Sequence, residues 1–221
     1  MSSRPKTLLK LATSLDGRIA LANGESQWIT GEDARARVHA LRATHDAVLV
    51  GGGTLRADDP ALTARGDPRS PTQPLRVVID TRLEISPGAR LLMTLDVAPL
   101  LIVCGPDADP NREQSLIMRG ARVWRLPTGL GGLDLPTLFD ALFQDGVRSV
   151  LVEGGGELAA SLFSQGLVDE IEWHRAPMVL GGDGRACLGG LGLEALKDAP
   201  RVRRVAVETL GPDLIERYVV S

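Results

Sequence analysis

Apolar residues in this chain come in short unbroken runs that alternate with helical patterns. The first run covers residues 7–13 and is followed by the turn pair Asp16-Gly17 and a short apolar piece at 19–21. Residues 47–50, 75–79, 99–104 and 147–152 are runs without polar alternation, which predicts strands buried on both faces. Thr30-Gly31-Glu32-Asp33 has the form of a capping box and opens a helix whose apolar positions Ala34, Val38 and Leu41 fall three or four apart. Asp134-Leu135-Pro136 starts a second helix, with Asp134 as its cap and Gly146 as its stop. A short helix is predicted at 157–165, behind the 147–152 strand. Residues 202–220 read as two strands joined by Gly211-Pro212, an antiparallel hairpin. The alternation predicts an α/β domain. Residues 65–74 are rich in Pro, Gly, Asp and Ser and read as a loop too short to link domains. One domain is expected over residues 1–221.

Composition narrows the class of protein rather than its function. Of 221 residues, 43% are hydrophobic, 24% charged and only 3% aromatic, an ordinary globular mix. The net charge of −3 is spread over both signs, and no basic block supports a nucleic-acid surface. The first residues lack the long apolar stretch of a signal peptide, and no window suits a membrane span. A cytoplasmic protein is expected. Cys104 and Cys187, far apart and in unlike contexts, are expected as reduced thiols.

Two segments share one design, a buried strand running into three glycines. In Val152-Glu153-Gly154-Gly155-Gly156-Glu157-Leu158-Ala159, the residues Gly154, Gly156 and Ala159 fit the G-x-G-x-x-G/A fingerprint of dinucleotide binding. Glycines let the backbone approach a pyrophosphate, and the free N–H groups at a helix start bind its charge. The same glycines could equally make only a tight strand-to-helix turn. A Rossmann domain begins with this fingerprint, whereas here it comes late, so the surrounding sheet is expected to differ. The other segment, Gly51-Gly52-Gly53-Thr54-Leu55-Arg56-Ala57-Asp58-Asp59-Pro60, has Arg56 where the third glycine should stand and lacks a Walker lysine. It can be read as a ligand loop at a strand end or as an Asp-Asp-Pro turn with a capping role.

Absences also decide. His39, His45 and His174 lie in no H-x-x-H or H-x-E pattern, there is no C-x-x-C, and the zinc-deaminase signature is missing. No G-x-S-x-G elbow appears. No metal is expected, and each histidine reads as surface or packing.

Six motifs in order then resemble one family. They are Lys10 to Gly17, Gly24 to Thr30, Ala57 to Thr63, Val78 to Thr81, Val152 to Gly155 and Ala176 to Gly182. Together they resemble the reductase domain of the bifunctional riboflavin-biosynthesis deaminase/reductase over essentially the whole chain. The resemblance implies a dihydrofolate-reductase-like fold, with a central mixed, mostly parallel sheet flanked by helices. It also implies a homodimer and NADPH as cofactor. The deaminase domain that precedes this one in the bifunctional protein is not expected here. The implied reaction reduces 5-amino-6-(5-phosphoribosylamino)uracil to the ribitylamino product, with hydride delivered to ribose C1′.

Position by position, the resemblance implies that Gly155, Gly156, Glu157, Leu158, Ala159, Ala160 and Ser161 hold the NADPH pyrophosphate. It further implies that Ala12, Trp28, Thr54, Asp58 and Thr81 line the cofactor site, and that Ser26, Arg42, Leu62, Arg65 and Glu153 hold the substrate. Two arginines suit a phosphate ester, and a carboxylate suits the N–H donors of a pyrimidine edge. Thr81-Arg82, just past a buried strand, is the candidate for the cofactor's 2′-phosphate. Acid/base groups are needed near C1′, and Lys10 and Asp58 are the candidates. Lys10 lies within an apolar strand, where burial would lower its pKa and make it a usable acid. Alternatively it stands on the outer face of an edge strand. A same-fold pterin or dihydrofolate reductase has no need for two phosphate-gripping arginines. A non-catalytic NADP-binding protein would need neither Lys10 nor Asp58.

Overall fold

The computed structural model describes residues 4–65, 72–129 and 132–221. Its elements run β1 (Lys6–Thr13), β2 (Arg18–Ala20), α1 (Glu32–Thr44), β3 (Ala47–Gly51), α2 (Gly52–Asp58), β4 (Leu75–Ile79), α3 (Arg90–Met93), β5 (Leu100–Cys104), α4 (Pro110–Met118) and β6 (Arg122–Arg125). They continue through β7 (Thr128–Gly129), β8 (Gly132–Leu133), α5 (Leu135–Gln144), β9 (Ser149–Val152), α6 (Gly156–Ser164), β10 (Glu170–Arg175), β11 (Arg185–Ala186), β12 (Val202–Leu210) and β13 (Asp213–Val220). These elements group into two compact units. A middle unit comprises residues 39–151 together with the chain start up to Pro5, and a terminal unit comprises 6–38 and 152–221.

In the middle unit the strand order is β9-β3-β4-β5-β6, and the β3–β4, β4–β5 and β5–β6 pairings are parallel. Val48, Leu49, Val50, Val77, Val78, Leu101, Ile102 and Val103 are all fully buried. That is the outcome predicted for runs that show no alternation. Asp134 accepts the Thr137 N–H at 3.1 Å with Pro136 beside it, and Gly146 adopts φ +97°, so both ends of α5 are as read from the sequence. α4 was not predicted. It is capped by Asp109, which accepts the Asn111 N–H at 2.8 Å. Arg76 on β4 is fully buried, with its guanidinium donating to Thr94 Oγ1 at 2.7 Å and to the carbonyls of Ala61, Thr94, Ala98 and Pro99. Burial lowers its pKa to about 10, so it stays charged at neutral pH and must be met by those oxygens.

In the terminal unit the order is β12-β13-β10-β1, with β1 parallel to β10 and the last three strands antiparallel. The predicted C-terminal hairpin is present, and Gly211 takes the positive φ of +59° that its turn requires. The β3–β4–β5–β6 pairings of the middle unit are parallel, whereas in the terminal unit β1–β10 is parallel and the antiparallel pairings belong to the C-terminal strands, as they do in the small β2–β11 and β7–β8 ribbons. The predicted capping box needs correction. Helix α1 begins at Glu32, which makes Gly31 the preceding residue, and the Gly31 N–H is taken by Asp213 Oδ2 at 2.7 Å. A carboxylate distant in sequence thus holds the N–H of the residue just before α1. Cys104 and Cys187 are both buried free thiols. Among the described residues no helix is long and apolar enough to cross a membrane.

Candidate functional site

In the terminal unit, Val152 leads into the glycine turn and α6 follows at once, with Gly155 as N-cap at φ −71° and ψ 174°. No side chain caps α6, so its first-turn N–H groups are not taken by a cap and remain suited to an anion. Gly154 and Gly156 have a further, internal reason. A Cβ on Gly156 would lie 2.7 Å from the Ala186 carbonyl oxygen, and one on Gly154 would lie 2.6 Å from Leu158 Cδ2. The loop carrying Gly189 closes over this turn, its N–H donating to Gly156 O at 2.9 Å. Ala159 and Ala160 are buried, whereas Glu157 is exposed and Gly155, Leu158, Ser161 and Glu153 are half-buried.

Lys10 and Ala12 are half-buried on β1, two residues apart and hence on one face. Lys10 stands in register with Glu172 and Ala12 with His174. Ser26 is half-buried, and Trp28 is 66% exposed with the Arg35 guanidinium 4.5 Å above its ring. A cavity of about 350 Å³ is lined by Trp28, Arg35, Pro177, Met178, Pro212 and Asp213, among others. Trp28 is therefore a surface side chain at the rim of this cavity rather than a core packing residue.

Sequence reasoning missed a buried charged cluster in this unit. Glu172 and His174 are 1% and 0% exposed, and His174 Nε2 lies 2.9 Å from Glu172 Oε1. Arg37 from α1 grips the same carboxylate through Nε at 3.1 Å and Nη2 at 2.9 Å, and Arg217 from β13 lies 3.9 Å away. Burial alone would raise the Glu172 pKa, but the hydrogen bonds from His174 and Arg37 outweigh it and hold the carboxyl at about 2. The carboxylate is an acceptor only, so His174 Nε2 must carry the proton. Burial, with the charges of Lys10 and Arg37, lowers the His174 pKa and keeps the imidazole neutral, although Glu172 pulls the other way. That leaves Nδ1 a bare acceptor, buried and without a hydrogen-bond partner.

In the middle unit, β3 leads into α2, whose last residue is the exposed Asp58. Asp59 closes the helix in the left-handed region at φ 37°, and its Oδ1 accepts the Arg90 N–H at 2.9 Å. The turn-and-cap reading of Asp-Asp-Pro thus holds for Asp59. Thr54 is half-buried on α2. Arg42 donates to the Thr63 carbonyl at 3.2 Å, where His39 Nδ1 also lies at 3.1 Å. Gln73 holds both backbone groups of Ala64, at 2.8 and 3.0 Å. These contacts bring Arg42 together with the segment that carries buried Leu62 and exposed Arg65. Thr81 and Arg82 are exposed just beyond β4, on a loop fixed by buried Asp80, which accepts the Ile85 N–H at 2.7 Å.

Sheet and helix order define the class. The chain has the fold of dihydrofolate reductase: the Enterococcus faecalis enzyme complexed with NADP(H) and RAB-propyl superposes with a TM-score of 0.53 at 12% identity, covering 98% of this chain and 96% of that one. The particular family follows from the sequence, since the model described as the RibD C-terminal domain matches residues 5–215. The chain belongs to that family. It is 40% identical over 220 residues to the 2,5-diamino-6-ribosylamino-4(3H)-pyrimidinone 5′-phosphate reductase of Methanothermobacter thermautotrophicus, covering 99% of each chain. The structure of Acinetobacter baumannii RibD is similar at a TM-score of 0.87 and 31% identity, covering 100% of this chain and 59% of that one. The chain spans a little over half the length of the curated RibD relatives it matches.

Proposed function

We propose that the chain is an NADPH-dependent oxidoreductase that reduces 5-amino-6-(5-phosphoribosylamino)uracil to its ribitylamino product. The observation that carries this reading is the 40% identity, over 99% of both chains, to a reductase of a ribosylaminopyrimidinone phosphate. That relative's substrate still bears the second amino group, which favours the diamino-pyrimidinone as a second reading. One family domain matched over residues 5–215 supports treating both units as a single reductase domain. A cytoplasmic homodimer is part of the same proposal, and a monomer mass by light scattering at micromolar concentration would contradict the dimer.

The uncapped start of α6 fits the charge of a dinucleotide pyrophosphate, and Gly155 to Ser161 would hold it. Ala12, Trp28, Thr54, Asp58 and Thr81 would complete the cofactor contacts, with Arg82 toward the 2′-phosphate. When bound, NADPH supplies the hydride that C1′ receives. Ser26, Leu62 and Glu153 would orient the substrate, and Arg42 and Arg65 would bind its phosphate by charge-assisted hydrogen bonds. As the sugar opens, the C1′–O4′ bond breaks, the ring oxygen takes a proton and the exocyclic nitrogen gives one up as the C1′=N imine forms; that nitrogen takes a proton when hydride reaches C1′. Lys10 and Asp58 are the groups assigned to these transfers. The half-buried position of Lys10 supports the role, because a lysine kept only for solubility would sit in water. The test is NADPH oxidation with the uracil phosphate, the diamino-pyrimidinone phosphate and dihydrofolate side by side. Turnover of a phosphorylated pyrimidine is expected; turnover of dihydrofolate alone would replace this reading with a pterin reductase.

A further inference from the structure

The Arg37–Glu172–His174 cluster belongs to none of the motifs above, yet it stands on the face of the sheet that carries Lys10. In a parallel pair, residues in register project to the same side, and neighbouring strands lie about 4.8 Å apart. Lys10 is in register with Glu172, and Ala12 with His174. Within the terminal unit, Glu172 from β10 is met on this face by Arg37 from α1 and Arg217 from β13, with Glu208 of β12 lying 3.7 Å from Arg217, while Lys6 and Glu170 pair with each other at 2.6 Å near the start of β1 and β10. His174, the remaining titratable group, is neutral for the reasons given above. Burying a carboxylate as fully as Glu172, which is 1% exposed, is expensive even with the half-buried Arg37 beside it. The cluster therefore invites an explanation other than stability.

We propose that Glu172, clamped by Arg37 and His174, is a positioning residue that keeps Lys10 in its ammonium form on this sheet face. The two clamps have separate jobs. Arg37 fixes the carboxylate by a forked pair of hydrogen bonds. His174 donates one hydrogen bond and adds no second positive charge beside the lysine, as a lysine or arginine there would. The inference rests on the proposed role of Lys10 as an acid, since only a protonated amine can give its proton to the substrate.

The test exploits the sequence, which has three lysines, Lys6, Lys10 and Lys197. Carbon-13 labelling at lysine Cε lets each be titrated by NMR in the full chain, with K10A to assign its signal. In E172Q the Lys10 midpoint is expected to fall by at least about one pH unit, because an adjacent negative charge is lost while Arg37 and Arg217 remain. Lys6, whose partner is Glu170 at 2.6 Å, is expected to titrate as before. The double variant R37Q/E172Q removes opposite charges together, so its Lys10 midpoint should move less than in E172Q; it also covers the case in which E172Q alone fails to fold. An unchanged Lys10 midpoint in the folded variants overturns the proposal. The alkaline limb of single-turnover NADPH oxidation should shift with the midpoint. A midpoint that moves while the rate profile stays fixed removes Lys10 as the acid, and leaves its coupling to Glu172 standing.

Discussion

The carboxylate of Asp16 accepts the backbone N–H of Gly181 at 2.8 Å and thereby ties the first turn of the chain to the loop after β10. It also accepts from Ser14 Oγ at 2.6 Å and from the Leu180 N–H at 3.1 Å. The Ser14 hydroxyl above all, then these backbone donors, hold the Asp16 carboxyl at about 2. A carboxylate depressed in the folded state stabilises it above the unfolded pKa of about 3.9, and that contribution is lost as pH falls toward 2. D16N should melt below the wild type at pH 6, with the gap closing by pH 2. A gap of constant size across a pH series of thermal melts would show that the charge is irrelevant.

The two glycine loops should respond oppositely to alanine. At Gly156 a Cβ meets a backbone carbonyl at 2.7 Å, whereas at Gly53 nothing lies within 4 Å. Backbone cannot step aside cheaply, so G156A is expected to cost about 1–3 kcal/mol. Gly53 lies inside α2, where alanine is the better helix former, so G53A should be neutral or stabilising by up to about 1 kcal/mol. Urea unfolding of the two variants settles the comparison, and equal losses would refute the packing argument.

Much of this was legible because short apolar runs rich in valine and isoleucine read as buried strands, which gave β3, β4, β5 and β9 to within a residue or two. β10 escaped for the opposite reason. Its Glu170, Glu172 and His174 alternate as a solvated face would, yet Glu172 and His174 are buried because Arg37 compensates their polarity from α1. Arg76 hid in the same way inside an apolar run, its charge met by carbonyls from distant segments. The α1 cap from Asp213 likewise needs a partner 182 positions away. Local pattern reports burial of apolar groups well, but says nothing of polar groups whose partners are remote. The glycine fingerprint was visible, but the Ala186 carbonyl that leaves no room for a Cβ at Gly156 was not.

Arg82 offers a test of cofactor preference. It is exposed immediately past β4, on the loop that Asp80 fixes, where a guanidinium can meet a phosphate from solvent. If it reads the 2′-phosphate, R82A should reduce the NADPH-to-NADH preference by about 10-fold while leaving NADH turnover unchanged, since one charge-assisted contact is worth about that factor. The ratio of kcat/KM for the two cofactors is the quantity to measure. An unaltered ratio moves 2′-phosphate recognition elsewhere.

The roles assigned to Lys10, Asp58 and Arg65 predict different kinetic failures. An acid/base group acts in the transition state, so its loss typically lowers turnover by about 10² to 10⁴. A phosphate contact made equally in the ground and transition states acts mainly through KM. K10A and D58A should therefore nearly abolish kcat, with K10A still binding NADPH by calorimetry. R65A should instead raise KM with kcat largely kept, because Arg65 is an exposed residue on the segment that Arg42 and Gln73 hold in place. The R65A defect should shrink for a substrate that lacks the phosphate, whereas the K10A defect should not. Near-normal turnover of the pyrimidine phosphate by K10A would remove Lys10 from the mechanism, even with the fold and the cofactor unchanged.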